Sequence, residues 1–150
     1  HSINPALAAE GIDIRRPMAA DKDKVLNFVK ENFSLVWANE CETAFYNMPY
    51  SCFIAVKDNQ EIIGFSCYDA SYRNFFGPVG VKNEYRGKGI GKELLLNALY
   101  AMRDNGYAYC IIGMVGEKNF GFYNKVAGAV KIPNSYPGIY KNVLGIENWE

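Results

Sequence analysis

Apolar and polar positions alternate across residues 11–17, "GIDIRRP", the period-two pattern of a half-buried strand that a proline closes. The pattern then changes to helical spacing. In "DKDKVLNFVKENF" (21–33) Asp21 stands where a cap belongs, and Val25, Leu26, Val29 and Phe33 fall on one face. In "LVWANECETAFYNM" (35–48) Trp37, Cys41, Ala44 and Met48 form a stripe that stops at Pro49. Two apolar runs around the polar turn "KDNQ" predict a hairpin over 52–69, and "FFGPVGV" (75–81) predicts another strand. The strongest helical pattern is 90–106, with Ile90, Leu94, Leu95, Ala98 and Met102 on one face and Gly106 as its stop. Then come a short buried strand in "YCIIGMV" (109–115), a short helix in "FGFYNKVAG" (120–128), and two last strands, "AVKIP" (129–133) and "IYKNVLGI" (139–146). The order is strand, two helices, three strands, helix, strand, helix, two strands. It predicts one α/β domain over 11–150, a mixed, mostly antiparallel sheet flanked by helices. Residues 1–10 are read as a disordered or added tail outside the fold.

A chain of 150 residues buries about 68–70% of its unfolded surface, enough for a core without staples. Sixteen basic residues balance sixteen acidic ones, which argues against a general nucleic-acid or polybasic membrane role. No apolar run is long enough to span a bilayer, and no signal peptide is visible. The four cysteines, Cys41, Cys52, Cys67 and Cys110, have no C-x-x-C spacing. They are expected to be reduced, in a cytoplasmic protein. The single histidine is His1, so no imidazole-based nucleophilic machinery is expected, and no metal.

Chemistry concentrates in "VKNEYRGKGIGKELL" (81–95). A strand feeds a turn with Gly87, Gly89 and Gly91, and the turn feeds a helix. Free amides and the positive dipole end make a helix N-terminus a place for a phosphate. Glycines let an anion approach the backbone, and Arg86, Lys88 and Lys92 add positive charge. A pyrophosphate is the natural guest; the plain alternative is a glycine turn that only turns. Glu93 stands where a Walker A loop needs a hydroxyl, and "GKGIGK" lacks the Rossmann spacing.

Arg86-x-x-Gly89-x-Gly91 resembles the [RQ]-x-x-G-x-[GA] signature of the GCN5-related N-acetyltransferases (GNAT), and the element order is similar to that family over about residues 12–145. The resemblance implies acetyl-CoA as cosubstrate. Its pyrophosphate would lie on the amides of Arg86, Gly87, Lys88, Gly89, Ile90 and Gly91, with Lys92 flanking. Its pantetheine arm would run along Val79, Gly80 and Val81. Pro78 lacks an amide hydrogen and lies between Gly77 and Gly80, which marks either a bulge in this central strand or an edge strand or loop. A second family motif is matched at Phe122-Tyr123 and Gly128-Ala129. It implies Tyr123 as the acid that protonates the departing thiolate; the alternative is a tyrosine packed with its hydroxyl at the surface, beside a core Phe122. Gly116 occupies the motif's usual asparagine position, and Asn119 follows it as a cofactor contact. The strand that carries a glutamate base in many relatives holds Phe75 and Phe76 instead, leaving Asp69 and Glu117 as carboxylates in reach and no assigned base. The implied partner is a small-molecule or peptide amine. A homodimer, a place in a longer chain, and a catalytically weak acyl-CoA-binding or sensing module remain open alternatives.

Overall fold

The computed structural model describes residues 1–145. Its elements are α1 (Pro5–Ala9), β1 (Ile12–Arg15), α2 (Lys22–Asn32), α3 (Leu35–Thr43), β2 (Cys52–Lys57), β3 (Glu61–Tyr68), β4 (Phe75–Val81), α4 (Ile90–Asp104), β5 (Ile111–Ile112) and α5 (Glu117–Ala127), with short 3-10 turns between some of them. The strands form one five-stranded sheet in the order β1-β2-β3-β4-β5. The pairs β1–β2, β2–β3 and β3–β4 are antiparallel. The chain forms two compact units, residues 1–111 and residues from Ile112 on.

Strand side chains alternate between faces, and here both faces are covered. Cys52, Ile54 and Val56 of β2 and Phe65 and Cys67 of β3 pack on Val25, Phe28 and Val29 of α2 and Ala38 and Cys41 of α3. The opposite face takes α4. A Cβ on Gly64 would touch the Leu94 side chain, and the Ser66 hydroxyl donates to the Leu94 carbonyl at 3.0 Å. All five apolar positions expected on the buried face of α4 are buried.

Several expectations change. Residues 1–10 are not a tail outside the fold: α1 forms, with the Asn4 side chain accepting from the Ala6 N–H, and Leu7 is 2% exposed. Asp21 precedes α2 without a side-chain capping bond. The α3 stripe ends early, because a 3-10 turn takes over at Ala44–Tyr46 and leaves Met48 exposed. The expected strand at 129–133 is irregular, with Val130 and Ile132 exposed, and the first half of the expected last strand lies in a 3-10 turn, Gly138–Asn142. Ile146, its last residue, lies outside the described residues. In that second unit Tyr140 is the packed side chain. A Cβ on Gly113 would sit 2.6 Å from its ring, so position 113 needs glycine.

Gly80 makes a comparable close approach in β4. A Cβ there would lie 2.5 Å from the Phe33 ring, and that ring is held among Phe28, Trp37 and Phe65 at centroid distances of 5.9, 5.4 and 5.5 Å. Gly80→Ala is therefore expected to destabilise the fold by about 1–3 kcal/mol through overpacking. Urea unfolding measures this, and an unchanged midpoint would mean that the ring yields freely.

Candidate functional site

Strand β4 is bulged, as the proline and glycines predicted. Its register to β3 runs Val81↔Gly64, Gly80↔Phe65, Val79↔Ser66, then Phe76↔Tyr68. From Ser66 to Tyr68 the strand β3 advances by two residues while β4 advances by three, so the extra residue lies in β4, at Gly77–Pro78. Gly77 has φ +121°, a conformation open to glycine. Among the described residues, the other edge of β4 is paired with β5 near its start. β5 has only two residues, and the Ile111 N–H donates to the Asn74 carbonyl at 2.9 Å, at the very start of β4. From Gly77 to Val81 this edge runs on past β5, presenting backbone groups that an extended ligand could pair.

The turn after β4 is anchored to β3. The Lys82 N–H donates to the Ile63 carbonyl at 2.8 Å, and the Lys82 ammonium reaches Glu61 at 2.9 Å. That bond holds the Glu61 carboxyl below its usual range. The Tyr85 hydroxyl donates to the same carboxylate at 3.3 Å. Arg86 Nε donates back to the Val81 carbonyl at 3.2 Å, with the side chain otherwise exposed.

Gly87 and Gly89 have φ of +82° and +88°, and a Cβ on either would meet nothing within 4 Å. They are glycines for their backbone conformation, beneath open space. Gly89 is the N-cap of α4 and offers no capping side chain, so the first-turn amides of the helix have no acceptor from a cap. Ile90 is 1% exposed; its side chain belongs to the core, and only its amide is left for a ligand. Gly91 and Lys92 complete the first turn, with Lys92 exposed. Lys88 departs from expectation. Its ammonium is paired with Glu10 at 2.8 Å and holds that carboxyl below its usual range. Part of its charge is thus spent on the segment first read as a tail. Val79 through Lys92 therefore form one continuous path: a strand edge that runs on past β5, an anchored turn and a helix end without a side-chain cap.

In the second unit, Asn119 and Tyr123 stand four residues apart, on one face of α5. Asn119 is exposed, and its N–H donates to the Gly116 carbonyl at 2.9 Å. Phe122 is 38% exposed and meets the Tyr123 ring edge-on at 5.2 Å. Tyr123 is the more buried of the two, so Phe122 is not the core member of the pair. Burial pushes the Tyr123 phenol up to about 12. The phenol is neutral when protonated, so below pH 10 folded and unfolded chains both keep the proton. Between about 10 and 12 only the unfolded chain releases it, and stability falls as pH rises. Urea midpoints at pH 9 and pH 11 are expected to drop more for the native protein than for Tyr123→Phe; equal drops would mean an ordinary phenol.

The two candidate carboxylates, Asp69 and Glu117, are otherwise engaged. The Tyr107 hydroxyl donates to the Asp69 carboxylate at 3.1 and 3.0 Å, and the Asn74 N–H donates to Asp69 Oδ1 at 2.7 Å, so Asp69 closes its own loop. Glu117 is paired with Lys131 at 3.1 Å, and its side chain is 87% exposed.

Residues 22–129, more than half of the chain, match the model of the acetyltransferase (GNAT) family. The fold is also that of solved GNAT structures. A GNAT N-acetyltransferase from Escherichia coli, in complex with CoA, aligns with a TM-score of 0.60 and 18% identity, over 85% of this chain and 72% of that one. A GNAT acetyltransferase from Brucella melitensis, in complex with acetyl-CoA, aligns at 0.58 and 17%, over 75% and 82%. A putative acetyltransferase from Pyrococcus horikoshii aligns at 0.56 and 24%, over 77% of this chain but only 42% of that one. No curated protein matches the sequence significantly. The chain belongs to the GNAT family of acetyltransferases. Residues 22–129 are its acetyltransferase domain, and the strand, turn and helix described above lie within it. Among the described residues no helix is long and apolar enough to cross a membrane.

Proposed function

We propose that this protein binds acetyl-CoA along β4 and the glycine turn and transfers the acetyl group to a primary amine by direct attack on the thioester. The observation that carries this reading is the edge of β4 that, among the described residues, runs on past β5 and leads into left-handed glycines with open space above them. Pantetheine amides would pair with the backbone of Val79, Gly80 and Val81. The pyrophosphate would take the amides from Arg86 to Gly91, with Arg86 and Lys92 as its cations. Asn119, matched by motif, would add a contact. Four unpaired thiols suit the reducing cytoplasm proposed for the protein.

In the reaction the amine gives up one proton and its nitrogen bonds to the carbonyl carbon. A backbone N–H of β4 between Val79 and Val81 would stabilise the oxyanion. The C–S bond then breaks, and the sulfur takes up one proton. Tyr123 would supply it. A phenol near 12 is a weaker acid than a thiol of about 8.5, so its contribution is a hydrogen bond to the developing thiolate, with the proton following as the bond breaks. The proton lost by the amine balances the one gained by sulfur and restores the tyrosine.

The engagement of Asp69 and Glu117 favours solvent as the route for the amine proton. It also supports a second reading, a weakly catalytic acyl-CoA-binding or sensing module. Release of CoA thiol from acetyl-CoA, followed across a panel of primary amines, separates the two. Amine-dependent release supports the transferase; tight acetyl-CoA binding with no release for any amine supports the module.

A further inference from the structure

Cys41, Cys52 and Cys67 come from three different elements, yet their Sγ atoms all lie within 4.8 Å of one another. Cys41 is on α3. Cys52 and Cys67 face each other across β2 and β3. None is in a disulfide and all three are 0% exposed. Nothing in their sequence spacing announces the cluster, which the tertiary fold alone assembles. We propose that this three-thiol cluster is a binding site for a trivalent thiophilic metalloid of the arsenite class.

Three sulfurs that each lie about 2.3 Å from one centre are at most about 4.0 Å apart when planar with it, and closer around a pyramidal one. The cluster must therefore contract by roughly an ångström to close on one centre, a movement within reach of side-chain rotation. Three thiols with no imidazole or carboxylate among them make a soft donor set. Charge selects within the soft ions. The three thiols belong to the same core cluster as Val25, Phe28, Val29, Ala38 and Phe45, where a net charge is costly to bury; the charges that act on them, Arg16 on Cys52 and Glu42 on Cys41, are of opposite sign. Three thiolates on a divalent ion leave one negative charge, and on copper(I) they leave two. On arsenic(III) they leave none. A zinc ion would also want a fourth ligand. The step balances without an oxidant: As(OH)3 and three S–H groups give As(S)3 and three waters, with three As–S bonds replacing three As–O bonds. The occupied site would tie α3 to β2 and β3. Cys67 is the residue at which the β3–β4 register breaks, so the tie would reach the strand opposite the bulge.

Arsenite is the probe, added both to the folded protein and during refolding from urea, in a phosphine reductant, so that burial does not prevent loading. Native mass spectrometry should find one arsenic per chain. Thiol titration after denaturation should fall from four reactive cysteines to one, Cys110. Cys110→Ala should load as the native chain does, and Cys41→Ala should lose the arsenic. The thiol count on the native chain stands even where a core variant folds poorly. Four reactive thiols after refolding with arsenite would overturn the proposal. So would arsenic that survives Cys41→Ala and is lost with Cys110→Ala, or a refolded chain that takes up zinc or copper(I) and leaves arsenite.

Discussion

Tyr123→Phe is expected to lower kcat about 100-fold, the low end of what a positioned acid contributes, while acetyl-CoA affinity stays within about twofold of native. The substitution removes one oxygen from a half-buried side chain and keeps the ring and its edge-on contact with Phe122. A change confined to kcat would mean that the hydroxyl acts as the C–S bond breaks. The pH dependence carries a second sign. A phenol at about 12 holds its proton throughout the working range, so Tyr123 itself introduces no fall in kcat between pH 7 and 10. Stopped-time assays of CoA thiol release across that range check both points. Native turnover in the phenylalanine variant would remove Tyr123 from the mechanism.

The second large effect is expected at the turn. Gly89→Asp combined with Gly91→Asp should raise the KM for acetyl-CoA at least about 100-fold, since two negative charges would stand where a pyrophosphate needs amides and cations. Two separate costs are involved. A non-glycine residue in the left-handed region at position 89 costs about 1–2 kcal/mol, which is a stability effect; the charge is a binding effect. Asparagine tolerates the left-handed conformation nearly as well and carries no charge, so Gly89→Asn separates them. It should fold like the aspartate variant and lose much less affinity. Equal losses in the two would assign the effect to backbone conformation alone.

The parts of this account that were legible in the sequence share one property: their signal is local. The glycine spacing, the amphipathic face from Ile90 to Met102, and Pro78 between two glycines each carry their meaning within a few residues, and the structure has the α4 face buried and the β4 bulge in place. The misread parts have separate causes. Leu7 looks like part of a tail in the sequence, yet it is 2% exposed in the fold. Lys88 looked like a free cation for an anion site, and its partner Glu10 lies seventy-eight residues away. The last strands were read from apolar composition at 129–133 and 139–146, but Pro133, Pro137 and the left-handed Asn134 and Gly138 break the chain there, and turn chemistry overrides the apolar residues between. Trp149 lies outside the described residues. The cysteine cluster had no sequence signal at all, since positions 41, 52 and 67 fit no ligand spacing.

The central claim is that the turn from Arg86 to Gly91 holds the pyrophosphate of coenzyme A. Its most direct test is calorimetric titration of the native protein with acetyl-CoA and, separately, with acetyl-pantetheine, which has the thioester and the arm but no pyrophosphate. The account predicts one acetyl-CoA per chain and far weaker binding of acetyl-pantetheine. No binding of acetyl-CoA, or equal binding of the two, would contradict it.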